Sequence, residues 1–168
     1  MKILDCTLRD GGYYTNWDFD DALVTTYINA MNQLPIDYIE LGYRNVPSNG
    51  YTGKFGYSPV SVLKQIRNNS KKKLAIMLNE KSTRPDDLST LLLPIIGLVD
   101  IYIVLNPTSN PNFFISVASI TARSKLIGST AILIMSTNPI IGNNSVDKSS
   151  GLVPSNGYTG KFGYLFNI

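Results

Sequence analysis

Histidine is missing from all 168 residues of this chain. Its absence removes the commonest general base, the usual activator of a catalytic thiol and a frequent metal ligand. Cysteine is nearly absent as well. The single Cys6 excludes an internal disulfide framework. With no imidazole to activate it, Cys6 reads as a small buried side chain. Charge is sparse: 16% of residues carry it, against roughly 25% in an average soluble domain. The net charge of +3 is small, and the basic residues are scattered except at Lys71 to Lys73. Nucleic acid is therefore not an expected partner, and the lysine triplet reads as a solvated turn. No apolar run approaches the roughly 20 residues of a membrane span, and the N-terminus lacks a signal-peptide pattern. A soluble cytoplasmic protein with no membrane partner is expected.

What the chain does have is alternation. Short apolar runs at Lys2 to Cys6, Tyr38 to Gly42, Lys73 to Leu78, Val99 to Leu105 and Thr130 to Met135 predict five strands. Helical patterns fall between them. Asp20 to Gln33 has Asp20 or Asp18 as cap and Leu23, Tyr27, Ala30, Met31 and Leu34 on one face. Ser58-Pro59 opens a second helix with Val62, Leu63 and Ile66. Arg84 to Ile96 carries Asp86 and Asp87 in its first turn, where the dipole favours them. Asn112 to Leu126 completes the set. Nearly continuous apolar strands alternating with helices predict parallel βαβ units. The expected fold is α/β, a partial (β/α)8 TIM barrel of about five βα units or an open sheet made from them. A closed barrel needs eight strands and roughly 250 residues.

The periodicity stops near Pro139. Residues 1–138 read as the N-terminal part of the barrel and residues 139–168 as an irregular, poorly packed tail. The tail contains a copy: Val153 to Tyr164 repeats Val46 to Tyr57 identically. A structural repeat array would have at least three diverged units, so duplication of one loop is the simpler reading. The segment Gly50 to Gly56 is glycine-rich but lacks the Gly-Lys-Ser/Thr ending of a phosphate cradle.

Chemistry concentrates after the first predicted strand. Leu4-Asp-Cys-Thr-Leu-Arg-Asp-Gly-Gly12 puts Arg9 and Asp10 where a buried strand breaks into a loop, and strand ends carry the chemistry of α/β barrels. Glu40 sits inside the second apolar run, as a pocket wall or a buried carboxylate paired with Arg9 or Arg44. Arg9 and Asp10 also fit an exposed turn before Gly11-Gly12. Tyr13, Tyr14 and Trp17 fit either a pocket lining or aromatic loop packing. Asn79 and Glu80 end the third run, facing the pocket mouth or serving as caps.

Thr7-Leu8-Arg9-Asp10-Gly11-Gly12 after a first strand, with Tyr38-Ile39-Glu40-Leu41-Gly42 on the second, resembles the metal-dependent pyruvate aldolase and hydroxymethylglutaryl-CoA lyase-like TIM-barrel family. That family includes 4-hydroxy-2-oxovalerate aldolase and the pyruvate carboxyltransferase domain. Gly12 to Phe19, Gly53 to Tyr57 and Ile76 to Lys81 extend the likeness, which covers residues 2 to 100 best. The resemblance implies a carbon–carbon lyase acting on a small 2-oxo acid through a metal-stabilised enolate. Asp10 would ligate Mg²⁺ or Mn²⁺. Arg9 would hold the enolate oxygen, as catalytic and substrate-binding residue, with Glu40 beside it. The ligand set is incomplete, because the family's late His-x-His pair has no counterpart here. Weak or no turnover by this chain is expected. A second reading is a non-catalytic scaffold that forms a homo-oligomer through open sheet edges at the first and fifth strands.

Overall fold

A computed structural model describes residues 2–47, 52–79, 83–105, 111–126, 132–136 and 163–166. The five apolar runs form β1 (Lys2–Asp5), β2 (Tyr38–Tyr43), β3 (Lys73–Asn79), β4 (Ile101–Leu105) and β5 (Ile132–Ser136). They lie side by side in chain order, and each pairs parallel with the next. Parallel neighbours need crossovers. Helices supply them: α1 (Thr7–Thr15) and α2 (Asp21–Gln33), then α3 (Val60–Asn69), α4 (Leu88–Leu92) and α5 (Pro111–Leu126). A short β6 (Gly163–Phe166) pairs antiparallel with β1.

The pleat sends successive side chains to opposite faces. Leu74, Ile76 and Leu78 of β3 join Tyr102 and Val104 of β4 on one face. There they meet Val24 and Ile28 of α2, Leu63 and Ile66 of α3, Leu91 of α4, and Phe113 and Val117 of α5. Ala75, Met77, Ile101 and Ile103 turn the other way and cluster with Leu4, Cys6, Tyr38 and Tyr43. Among the described residues, no side chain of α2 to α5 enters this second cluster. A doubly wound sheet carries helices on both faces. One-sided winding in chain order is how an α/β barrel is laid down. The architecture is mixed α/β, consistent with part of such a barrel.

Several expectations change. Arg9 and Asp10 stand on a helix, α1, and not in a loop. The helix forms despite Gly11-Gly12 because tertiary contacts outweigh propensity. The Asp5 carboxylate accepts the Thr7 backbone N–H at 3.0 Å and its hydroxyl at 3.1 Å. Gly12 leaves room for the Trp17 ring, which a Cβ there would meet at 2.1 Å. On α2 the buried face is Val24 and Ile28, with Tyr27 and Met31 half-buried. Leu23, Ala30 and Leu34 are exposed. Asp20 does cap α2, accepting from the Ala22 and Leu23 N–H groups. The expected helix Arg84 to Ile96 breaks into α4 flanked by single 3₁₀ turns. Pro94 cannot donate within a continued helix. The β1 edge is not open, because β6, from the expected irregular tail, occupies it. Glu80, residues 48–51, most of the tail and its copied segment up to residue 162 lie outside the described residues.

Candidate functional site

β1 ends at Asp5, and the first turn of α1 follows at the carboxyl edge of the sheet. The Asp10 N–H donates to the Cys6 carbonyl at 2.9 Å, so the turn is closed where the strand stops. This folds Arg9 back over the sheet. Its side chain is 2% exposed. Its Nη1 lies 2.9 Å from Asp10 Oδ1, and its Nε lies 2.9 Å from Glu40 Oε2. The second contact is an ion pair whose N–H is not directed at the oxygen. Arg9 and Asp10 are therefore no exposed turn couple, and Glu40 takes Arg9 rather than Arg44 as its partner.

Glu40 points to the face that α2 to α5 leave uncovered, beside Cys6. One guanidinium thus faces two carboxylates in a largely water-free place. Burial raises the Glu40 pKa, opposed chiefly by Arg9. Burial also lifts Asp10, against the pull of Arg9, to about 6. Two carboxylates sharing one cation hold a proton more readily than either would in water. Burial and the neighbouring Glu40 push the Cys6 thiol far up. A thiol so held is not a nucleophile, in keeping with the sequence reading.

A bulge brings a further group to this place. Glu40 pairs with Ala75 and Tyr43 pairs with Met77, so β2 spends one extra residue there. Gly42 absorbs it at φ 139°, with the Phe55 carbonyl where a Cβ would stand. The bulge re-aims the strand, so Glu40 and Tyr43 share the face that α2 to α5 leave uncovered. The Tyr43 hydroxyl lies 2.8 Å from that of Tyr13 and beside the Arg9 guanidinium. Sequence reasoning ended the strand at Gly42 and missed Tyr43. A glycine inside a strand pattern was the available sign of a bulge. Arg44, one residue on, donates to the carbonyls of Leu91, Tyr57 and Ser58. It ties the segment after Gly56 to α4.

Trp17 roofs the cluster. Its indole N–H donates to the Arg9 carbonyl at 3.1 Å, and its ring packs edge-on against Tyr13 and Tyr43. Its φ is 55°, a conformation that bulky residues avoid and that costs about 1–3 kcal/mol. The Trp17 carbonyl accepts the Phe55 N–H, and the Asn16 carbonyl accepts the Gly53 N–H at 2.7 Å. The segment after residue 51 is thereby docked on the α1–α2 connection. Between these parts opens a pocket of about 350 Å³, lined by Tyr13, Trp17, Tyr43, Asn45, Tyr57 and Asn79 among others. It stands at the carboxyl ends of β2 and β3. Tyr13 and Trp17 line it, and Tyr14 does not.

A divalent cation was expected at Asp10. Asp10 Oδ1 is engaged by Arg9. Among the described residues no group of three or more His, Cys, Asp or Glu side chains is placed to hold a metal ion. Magnesium and manganese take about six oxygen ligands, with carboxylates prominent. Among the described residues, Asp10 is at most one ligand of such a set.

Fold and site together define a one-sided parallel α/β sheet with a buried arginine–carboxylate cluster and a pocket at its carboxyl edge. No family model matches the chain, and no curated protein matches it. Among solved structures it is similar to the crystal structure of the N-terminal domain of a putative aldolase from Bacteroides vulgatus, at 52% identity and a TM-score of 0.67. The alignment covers 90% of this chain and 48% of that one. The chain spans about half the length of the structure it matches. No helix among the described residues is long and apolar enough to cross a membrane.

Proposed function

We propose that the chain carries the enolate-holding part of an aldolase-type carbon–carbon lyase acting on a small 2-oxo acid, within a TIM-type barrel of the pyruvate aldolase class. One observation carries the reading: Arg9 is buried and fixed between Asp10 and Glu40 at the carboxyl edge, beside the pocket. The likeness to an aldolase N-terminal domain supports it. A positioned guanidinium in a dry site stabilises negative charge developing on a substrate oxygen. Glu40 would hold Arg9 in place. Asp10, its pKa raised to about 6, is mostly ionised at neutral pH and would accept a proton there. If Mg²⁺ or Mn²⁺ takes part, Asp10 would supply one oxygen to it. No step is derived through the ion.

The test is enolisation alone, the half-reaction that Arg9 would serve. Pyruvate is incubated with the chain in heavy water, with and without Mn²⁺, and methyl-proton loss is followed by NMR. Slow exchange that falls to the buffer rate in Arg9→Gln is expected. Equal exchange with both proteins defeats the reading, provided that circular dichroism shows the variant folded. Arg9→Lys, which keeps the charge, serves if Arg9→Gln does not fold.

A second reading keeps one supporting observation. β5 ends the sheet, and its outer edge pairs with no described strand. An open edge invites pairing with another chain. Light scattering across a concentration series would show homo-oligomers if this edge is used, and a constant mass if it is not.

A further inference from the structure

We propose that Trp17 is a positioning residue of this site, through which docking of residues 52–57 on the α1–α2 connection fixes the Arg9 guanidinium. For its chemical consequence the coupling rests on the lyase reading. Its geometry stands independently of that reading.

Two stretches of chain are shaped around one residue. At Gly12 a Cβ would meet the Trp17 ring at 2.1 Å, and at Gly53 a Cβ would meet the Trp17 carbonyl at 2.1 Å. Glycine permits such close approach. Two backbone hydrogen bonds then join the stretches, from the Gly53 N–H to Asn16 and from the Phe55 N–H to Trp17. Beside them Lys54 pairs with Asp21, and the buried Phe55 ring meets Phe19 edge-on at 5.6 Å. The Trp17 N–H in turn donates to the Gly12 carbonyl at 2.9 Å. Asn16 and Trp17 are both left-handed, at φ 54° and 55°. The first is an ordinary helix end for Asn. The second persists only where its surroundings enforce it, and those surroundings are Gly12 and residues 53–55.

The indole acts on Arg9 from two directions. Its N–H donates to the Arg9 carbonyl at 3.1 Å, which pins the backbone from which the guanidinium extends. Its ring meets Tyr13 at 4.8 Å and Tyr43 at 5.6 Å, both edge-on. The hydroxyls of those tyrosines lie 2.8 Å apart, and that of Tyr43 flanks the guanidinium. Loss of the indole would loosen the carbonyl and both rings together. Asp10 and Glu40 balance the Arg9 charge, whereas Trp17 fixes where that charge stands. Misplacement by about 1 Å at a reacting centre can cost about 10²-fold in rate. A guanidinium that meets a developing enolate needs such placement, and packed neighbours behind the reacting groups supply it.

The test moves residues 52–57 and reads Arg9. In the full chain, Gly53→Ala puts a methyl group where the Trp17 carbonyl stands, so the segment must lift. The guanidinium is followed by NMR through its Nε–H signal, assigned by its loss in Arg9→Lys. The indole is followed by fluorescence, since Trp17 is the single tryptophan. A red-shifted emission is expected, with the Arg9 Nε–H exchanging with water at least about tenfold faster through local opening. Trp17→Phe keeps a ring, removes the indole donor and should speed that exchange as well. In the pyruvate assay it should lower the rate at saturating pyruvate about five- to tenfold, the size of one net hydrogen bond, with little change in half-saturation. A mere pocket wall would raise half-saturation and leave the limiting rate. Both substitutions together should do no more than the larger alone, because they break one route. Circular dichroism shows which variants are folded, and either one suffices if the other is not. An Arg9 signal indifferent to the folded variant overturns the proposal, as do multiplying effects of the two changes. No pyruvate exchange in the parent chain, with an Arg9 signal that answers to Gly53→Ala, defeats the lyase reading alone. Exchange that both substitutions leave unchanged defeats this inference alone.

Discussion

The two faces of the sheet are built from the same strands and differ in kind. The helix-covered face is apolar along β3 and β4, with Leu74, Ile76 and Leu78 fully buried under α2 to α5. The opposite face is buried as deeply at Ala75, Met77 and Ile103, yet it holds Glu40, with Arg9 beside it. Desolvated charge is costly wherever it occurs. Confinement of the arginine–carboxylate cluster to one face, next to the strand ends, separates the part of the molecule that stabilises from the part able to do chemistry, whereas the buried Arg44 on the helix side is spent on backbone carbonyls. The outer face resembles any packed core. The inner face carries an arrangement that packing alone does not require.

The sharpest way to break that division is Arg9→Leu. It leaves Glu40 without its cation in the interior, and removal of one buried partner costs about 3–5 kcal/mol. Urea unfolding should show this loss. The double variant Arg9→Leu with Glu40→Leu should recover most of it, since a buried pair often contributes little net stability. If the single change proves harmless, the cluster is more hydrated than its 2% exposure of Arg9 implies.

On the helix-covered face, Leu74→Ala is the matching experiment. Leu74 is fully buried, and a leucine-to-alanine change in a packed core costs about 2–5 kcal/mol. Here no second substitution of a charged partner should rescue the loss, because only apolar contacts are removed. The same unfolding assay checks it. Rescue by Glu40→Leu would mean that the two faces are coupled.

The next effect is smaller and depends on pH. The Asp10 pKa is raised to about 6 by burial, from about 4 in an unfolded chain. The folded state therefore binds more protons than the unfolded state between those values. Stability from this group is greatest below about pH 4 and declines as pH rises through about 6. Glu40, also raised, acts in the same direction. Asp10→Asn removes one of the two contributions. Its midpoint in urea should vary less between pH 4 and 7 than that of the parent chain. An unchanged or steeper dependence would place the titration elsewhere.

Periodicity made the skeleton legible. All five parallel strands and the spans of α2, α3 and α5 follow from apolar runs and from caps such as Asp20. The misses share a cause, because each depends on contacts distant in sequence. Gly11-Gly12 reads locally as a turn, and α1 exists because Trp17 and Asp5 hold it. Gly56-Tyr57 ends a 3₁₀ turn, whereas the identical Gly163-Tyr164 pair with β1 as strand. Local sequence cannot distinguish the two. The closeness of Arg9 and Asp10 was readable from their spacing. Tyr43 was not, because a bulge one residue long decides its face.

The smallest predicted effect tests how α2 is oriented over the outer face. The 3.6-residue pattern admits two overlapping stripes, and apolar count alone favours the one through Leu23 and Leu34. Packing chooses the other. Val24 and Ile28 join the buried core of the helix-covered face, while Leu23 is 58% exposed. Leu23→Ser should then change stability by no more than about 0.5 kcal/mol, as surface substitutions do. Ile28→Ser, one turn further on the buried stripe, should cost several times more through lost burial and an unpaired hydroxyl. Should the order reverse, α2 is rotated by about 100° from the position described. The assignment of the helix-covered face would then fail with it.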